Sequence, residues 1–488
     1  MSINNPESKP PDIPRQQIEP VRFSFSSYTG LRVTVLGLGL FSGGVATARF
    51  FARHGAQVTV TDRKPAEKLQ PSIDALAGLP IRFVLGEHRE GDMLAADLLV
   101  VGPAVQDDSP YFRLALAHGI PVTTEMNIFF DRCPAPIVGV TGSNGKTTTT
   151  SLIAAFCRAR DARSVVGGNI GHSLLDEIDA ISPDTTVVLE LSSFQLHRLA
   201  WIGRSPHVAV VTNLSPNHLD WHGTYEAYTE AKRQIVRFQT AADTAVLNAD
   251  DPELRRWADD SAGRVLWFGL DAQIREGAAV YNGAIVFRDG MREHSICPVD
   301  TIRIPGRHNL ANTLAAVAGA CACGIEPAAL APVLAEFRGV VHRLERVREL
   351  DGVRYYNDSA STTPESAVTA LRAFDDPVVL IAGGYDKGMP FDAMAAEAMR
   401  RARAVVLIGV AAETIEKALA ASGGPLPVVA HAATLKEAVR RSQQLACPGD
   451  TVVLSPGCAS YDMFVNFEDR GQQFKTEVEG LVSARERI

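Results

Sequence analysis

Short apolar runs alternate with amphipathic stretches along most of the chain. Leu31 to Leu36 is an apolar run of strand length, followed by a glycine-rich turn and a helix-like run from Gly44 to His54. A second run, Gln57 to Thr61, ends at Asp62 and completes a β–α–β opening. Ile81–Leu85 and Leu98–Val101 predict further strands. Pro134 and Pro136 punctuate the chain before the run Ile137–Val140, which leads into another glycine-rich turn and a helix predicted from Thr147 to Arg160. Runs at Thr186–Leu189, Val208–Thr212 and Thr244–Leu247 then alternate with helical stretches. An irregular, strand-rich part covers about 264 to 304, and a helix is predicted over Leu310–Cys323. Gly339-Val340-Val341 has the look of a linker. Beyond it, Val378–Ala382, Ala404–Ile408 and Thr451–Leu454 predict the strands of a third α/β unit.

This pattern predicts an α/β protein of three domains. A Rossmann-like domain is expected over 29–132, a central P-loop ATPase-type domain over 133–339, and a C-terminal Rossmann-like domain over 340–488. Residues 1–28, polar and proline-rich, are expected to form a flexible extension. The length agrees, since 488 residues at ~150 per domain suggest about three. The hydrophobic share of 46% is ample for large cores. A formal net charge of -8 argues against a general nucleic-acid or anionic-membrane binder, whose footprint would be basic. No apolar run reaches the ~18 residues of a membrane span, and no apolar signal-peptide core precedes the first strand. The seven cysteines are scattered, which suits a reducing cytoplasm. Cys321 and Cys323 form a C-x-C on an alanine-rich helix and are read as small buried residues rather than metal ligands.

The strongest chemical signal is Gly142-Ser143-Asn144-Gly145-Lys146-Thr147-Thr148 between a strand and a helix. Glycines let backbone N–H groups face phosphate oxygens, and a helix N-terminus favours negative charge. Lys146 can neutralise β/γ-phosphates, and the Thr147 hydroxyl can ligate Mg²⁺. Such a site needs a carboxylate at a neighbouring strand end, and Glu190 ends the run before Ser192 and Gln195. His218, in Asn213–Asp220, also follows a strand, where α/β sheets place their ligands. Gly37-Leu38-Gly39-Leu40-Phe41-Ser42-Gly43 with Asp62 approximates a dinucleotide fingerprint, but Ser42 stands where the third glycine belongs. An NAD(P)-dependent dehydrogenase built on that turn would leave the phosphate loop and its carboxylates without purpose.

In combination these segments resemble the Mur ligases of peptidoglycan synthesis. The resemblance runs over about 30 to 480 and rests on GSNGKTT at 142–148, GGNIG at 167–171, ELSSFQL at 190–196 and NHLDxH up to 222. GRHNLAN at 306–312, HRLE at 342–345, NDS at 357–359, GGYDKG at 383–388 and SPGCASYDMFVNFEDRG at 455–471 extend it. ELSSFQL and the final segment resemble the glutamate-adding branch. Folylpolyglutamate-type and cyanophycin-type ligases share the chemistry, but the UDP-binding-like first domain and ELSSFQL disfavour them.

The resemblance implies an ATP-dependent amide ligase that joins glutamate, with the D isomer expected, to UDP-N-acetylmuramoyl-L-alanine through an acyl-phosphate. It implies ATP as co-substrate, two Mg²⁺ ions, a carbamylated Lys232, a monomer and a cytoplasmic location. Lys146, Glu190, His218 and Lys232 would be catalytic, with Thr147, Glu190, His218 and Lys232 around the metals. Asn309 and Asn312 would approach adenine, Arg343 the phosphates and Asp358 the ribose. Gly39, Leu40, Phe41 and Ser42 would face the diphosphate, Asp62 the uracil, and Asn169, Ser192 and Gln195 the muramoyl-alanine part. Thr362, Lys387, Ser460 and Phe467 would receive glutamate. D- and L-glutamate carry the same groups, so residue types leave handedness open. Two segments depart from the family pattern: Ala360 stands where a lysine is usual, and Gly102-Pro103-Ala104-Val105 where Ser-Pro-Gly is usual.

Overall fold

A computed structural model describes residues 25, 27–40, 42–161, 163–270, 273–290, 292–424 and 427–483. Most of the expected N-terminal extension, and Phe41, lie outside these residues. The described residues form three sheets. The first contains β1 (Arg32–Leu36), β2 (Gln57–Asp62), β3 (Ile81–Leu85), β4 (Leu98–Val101) and β5 (Val122–Thr123), in the order β3-β2-β1-β4-β5. All its pairings are parallel.

The second sheet contains β6 (Ile137–Thr141), β7 (Ser164–Gly168), β8 (Thr186–Glu190), β9 (Val208–Val211), β10 (Thr244–Asn248), β11 (Arg264–Phe268), β12 (Gly277–Tyr281), β13 (Ala284–Asp289) and β14 (Arg292–Pro298). Its order is β14-β13-β12-β11-β10-β9-β6-β8-β7. The third contains β15 (Glu345–Leu350), β16 (Val353–Asn357), β17 (Val378–Gly383), β18 (Ala402–Ile408), β19 (Val428–His431) and β20 (Thr451–Leu454), in the order β15-β16-β20-β17-β18-β19.

The α/β alternation expected from the sequence is present, with additions. β5 is too short to carry a pattern, β7 reads SVVGG and loses its apolar signal to glycine, and β15 reads ERVREL with four of its six residues charged. The helix expected from Leu310 begins at Arg307, because its polar first turn has no apolar residue to mark it.

The chain divides into two compact units. One comprises the described residues up to Ile296 with Leu314–Leu330; the other comprises Cys297–Thr313 with the described residues from Ala331 onward. Within the first unit a single buried cluster links both sheets, running from Val33, Val35 and Val60 through Ile128, Phe129 and Ile178 to Leu189, Leu196 and Val211. Each fully buried aliphatic or aromatic side chain contributes ~1.5–3 kcal/mol. Polar bridges set the register between the sheets. Arg198, 1% exposed, pairs with Asp107 at 2.8 Å and stacks its guanidinium on Phe112 and Trp201. Asn127 Nδ2 donates to Arg198 O at 2.9 Å. The loops after β4 and β8 are thereby held against each other.

Candidate active site

In the second sheet, β6 lies between β9 and β8, with β7 outside β8, and all run parallel. Their C-terminal loops therefore converge, as ligand loops do in open α/β sheets. Gly142 follows β6 at φ 150°, and a Cβ there would fall 1.9 Å from Thr212 Oγ1. Only glycine fits that turn. Ser143 Oγ donates to Ser215 O at 2.9 Å, and Asn144 N–H donates to Asn213 Oδ1 at 3.0 Å. The phosphate-loop segment is thus stapled to the loop after β9.

Gly145, at φ 81°, caps the helix Lys146–Arg160 without a side-chain acceptor. A helix N-terminus so built favours an anion. Lys146 Nζ donates to Gly142 O and Ser143 O, both at 2.9 Å, so the ammonium sits over the loop. Thr147 Oγ1 donates to Glu190 Oε2 at 2.8 Å, and Asn169 Nδ2 donates to Glu190 Oε1 at 3.0 Å. Thr148 is buried behind them.

Lys232 approaches the same loop from the helix Tyr225–Arg237. Its Nζ donates to Thr141 Oγ1 at 3.2 Å and Gly142 O at 3.0 Å, and lies 4.9 Å from the Tyr228 ring centre. The side chain is 2% exposed. Burial, reinforced by the charge of Lys146, pushes its pKa well down, while Glu190 pulls it up. The net direction is toward the neutral amine.

His218 adopts a left-handed φ of 52°, and its ring packs 4.9 Å from Phe194. Burial and then the charges of Lys146 and Lys232 push its pKa down, against Asp220. A neutral imidazole keeps a lone pair for a metal. Thr147 and Glu190 present oxygen donors of the kind a hard cation takes. Among the described residues no three His, Cys, Asp or Glu side chains converge as a ready metal cluster. Cys321 and Cys323 are half-buried rather than buried, and Cys323 hydrogen-bonds Cys157.

Sequence reasoning missed two supports of this site. Tyr228 shares a 2.9 Å hydrogen bond with Ser143 Oγ, and His222 contacts Ser193 Oγ at 3.0 Å while stacking on Phe194. Burial, with the charges of His197, His218 and Lys232, lowers His222 to about 4. An aromatic-rich stretch, Trp221-His222 to Tyr228, was the available signal.

The glycine turn after β1 is built differently. Asp62 Oδ2 accepts from Leu38 N–H and Gly39 N–H, each at 3.0 Å, and Oδ1 accepts from Lys64 N–H at 2.9 Å. Its carboxylate thus shapes the turn. Leu40 is exposed, and Ser42 opens the helix Ser42–Arg53. A cavity of ≈ 390 Å³ lies between this turn and the second sheet, lined by Gly37, Gly102, Glu125, Asn169, Ser173 and Gln195 among others. Ser192 and Gln195 form a capping box, with Gln195 Oε1 accepting from Ser192 N–H at 2.9 Å. That box fixes the helix leading away from Glu190.

Asn309, Asn312, Arg343, Asp358, Thr362, Lys387, Ser460 and Phe467 belong to the second unit. Asn309 and Asn312 are buried, with Asn312 Nδ2 donating to Asn309 Oδ1 at 3.2 Å. Arg343 stands between two left-handed residues, His342 at φ 64° and Leu344 at φ 43°. Such conformers cost ~1–3 kcal/mol each and persist only where the surroundings impose them. Here Asn357 bonds the His342 ring at 2.9 Å, and Asp358 Oδ1 accepts from Leu344 N–H at 3.1 Å. Asp358 Oδ2 accepts from Ser361 Oγ at 2.5 Å and Ser455 Oγ at 2.8 Å. Burial raises its pKa to about 6 despite these bonds.

The segments carrying Thr362, Lys387, Ser460 and Phe467 follow β16, β17 and β20 or lead on from them, and these strands are neighbours. Arg470, fully buried, ties them together. It donates to Ser359 Oγ at 2.9 Å, Ser359 O at 2.8 Å, Cys458 O at 3.1 Å and Ala459 O at 3.2 Å. Ser359 Oγ in turn donates to Phe467 O at 2.7 Å, and Tyr385 N–H to Ala459 O at 2.9 Å. Lys387 is exposed and Ser460 buried.

A strand–phosphate loop–helix with a strand-end carboxylate defines a nucleotide-using α/β protein. Comparison with known proteins narrows the class. Residues 31–124 match the Mur ligase MurD-like N-terminal domain, 140–320 the Mur ligase middle domain, and 342–458 the Mur ligase glutamate ligase domain. The UDP-N-acetylmuramoylalanine--D-glutamate ligase of Roseiflexus sp. (strain RS-1) is 47% identical over 462 residues, covering 93% of this chain and 99% of the relative. The protein of the same name from Symbiobacterium thermophilum is 45% identical, covering 92% and 98%. Among solved structures, the UDP-N-acetylmuramate-alanine ligase of Thermotoga maritima aligns with a TM-score of 0.58 at 20% identity, over 92% of this chain and 99% of that one. The MurF ligase of the same organism, in complex with ADP, aligns with a TM-score of 0.57 at 18% identity, over 92% and 98%. The chain belongs to the Mur ligase family, whose members are ATP-dependent ligases of peptidoglycan precursor synthesis. Among the described residues no helix is long and apolar enough to cross a membrane.

Proposed function

We propose that this protein joins D-glutamate to UDP-N-acetylmuramoyl-L-alanine, with ATP as co-substrate, as its relatives' names state for them. The observation that carries this is likeness at 45–47% identity along nearly the whole length of proteins so named. Segment 29–132 would take the UDP part, 133–339 ATP, and 340–488 glutamate. A free carboxylate is a poor electrophile, so the alanyl carboxylate oxygen first attacks the γ-phosphorus and ADP leaves. The glutamate nitrogen then attacks the carbonyl carbon, loses a proton, and inorganic phosphate departs.

Negative charge accumulates in both steps, so cations and oriented dipoles should supply most of the stabilisation. Lys146 would leave the carbonyls of its own loop for the transferred phosphate, while the amides of 145–148 hold the neighbouring phosphates. Mg²⁺ would neutralise phosphate charge, held by Thr147 and Glu190, with a second ion near His218 and Lys232. The neutral amine favoured at Lys232 is the form that adds CO₂ and releases a proton. The resulting carbamate would place an anion where the unmodified side chain offers the metal none. Arg343 would meet phosphate and Asp358 the ribose, with Asn309 and Asn312 near adenine. Gly39 to Ser42 would face the diphosphate and Asp62 the uracil, with Asn169, Ser192 and Gln195 at the muramoyl-alanine part. Thr362, Lys387, Ser460 and Phe467 would surround glutamate. A monomer working in the cytoplasm, where ATP is available, completes the reading.

Phosphate release measured with ATP, Mg²⁺ and UDP-N-acetylmuramoyl-L-alanine, with D- or L-glutamate added separately, tests it. Release with the D isomer alone is expected. Release only with the L isomer would change the substrate, and none with either would reject the reading.

A further inference from the structure

We infer that Glu125 contacts the sugar of the UDP-sugar substrate, offering a carboxylate oxygen to a hydroxyl or the acetamido N–H of the muramoyl ring. This rests on the functional reading above. Glu125 opens the helix Glu125–Arg132, whose start is fixed by Thr124 Oγ1 accepting from Asn127 N–H at 3.1 Å. Its Oε1 accepts from Ser173 Oγ. Ser173 is itself held, 3% exposed, as the cap of the turn Leu174–Ala180, where its Oγ also accepts from Leu175 N–H at 3.3 Å. Backbone at both ends therefore dictates where the carboxyl points.

The second oxygen, Oε2, has no protein partner among the described residues, and Glu125 lines the cavity that also holds Asn169 and Gln195. It is the one ionisable side chain among the described residues lining that cavity. Arg49, on the helix Ser42–Arg53, is taken by Asp176. Burial raises the Glu125 pKa to about 6, against the Ser173 bond and with Asp176 adding to the rise.

Glu125 is half-buried, and a partly desolvated carboxyl with neither a cation nor a full set of donors is costly to the fold. Glu397 and Asp450, both buried, show the alternative, since the chain's own donors occupy both oxygens of each. A half-satisfied acid aimed into a ligand cavity marks a residue kept for the ligand. The muramoyl ring is the part of this substrate that carries neutral donors, and Asn169 and Gln195 place its position beside Glu125.

Titration calorimetry of the full chain with UDP-N-acetylmuramoyl-L-alanine, alongside steady-state kinetics, decides it. Glu125→Ala should raise Kd and KM for the UDP-sugar about tenfold, with KM for ATP and glutamate unchanged. Glu125→Gln keeps an acceptor and the shape, so a smaller rise, about threefold, is expected. If Glu125→Ala fails to fold, Glu125→Gln alone carries the test. An unchanged Kd in either folded variant, or equal shifts in all three KM values, would overturn the inference. Failure of the unmodified protein to bind or turn over the UDP-sugar would instead reject the functional reading beneath it.

Discussion

Two glycine turns in this molecule occupy equivalent places, each between a central parallel strand and a helix, yet they are wired in opposite senses. After β1, Asp62 fills the amides of Leu38 and Gly39 with its own carboxylate. After β6, Gly145 begins its helix without a side-chain cap, and a lysine replaces the internal acid. The first turn is closed as it stands, with two of its amides already taken. The second is unfinished, with Lys146 resting on its own carbonyls. A shared strand–turn–helix layout thus leaves one turn filled by a carboxylate of the chain and the other overlaid by a lysine.

The largest effect should come from removing the cation of the unfinished turn. Lys146→Met is expected to lower kcat for phosphate release by about 10³-fold, while calorimetric binding of the UDP-sugar stays within twofold. Equal loss of both would mean that the two turns are not functionally separate. Next, Lys232→Ala should lower kcat by about 10²-fold, with partial recovery when formate is added. Full activity without formate would remove Lys232 from the site.

The finished turn should respond more mildly. Asp62→Ala frees the Leu38 and Gly39 amides and should raise KM for the UDP-sugar by about tenfold without changing KM for ATP. A change confined to ATP would reverse the assignment of the turns. The smallest effect lies outside both. Burial pushes Glu397 up, but hydrogen bonds from Arg372, Arg400 and Arg401 outweigh it and bring its pKa from 4.5 to about 2. The folded value is below the unfolded one, so this contribution is complete above about 4.5 and is lost as pH falls toward about 2. Thermal unfolding followed over that range should show the decline, and Glu397→Gln should flatten it.

The phosphate loop was legible because its chemistry is local. Gly142, Gly145, Lys146 and Thr147 act within one turn, and their spacing alone implies an anion at a helix start. Glu190 was nearly as legible, since it ends an apolar run. The Asp62 position was visible, but its use to pin a turn was not, because the partners lie more than twenty residues away, at Leu38 and Gly39. Glu125 gave no signal, since one acid at a helix start is an ordinary first-turn residue. Arg470 was hidden similarly inside the quoted FEDRG segment, because four acceptors from two separate stretches of chain give it its place.

By itself the sequence determined the α/β alternation, the phosphate loop and its acidic partner, and the membership that its motifs announce. These depend on periodicity and on contacts within a few residues, which a linear reading preserves. Tertiary structure decided the rest: the burial that shifts Lys232 toward the neutral amine, the left-handed strain at His218, His342 and Leu344, and the cavity in which Glu125 keeps one oxygen unmatched. Desolvation and strain are set by what packs around a group, and that is chosen only when distant strands become neighbours.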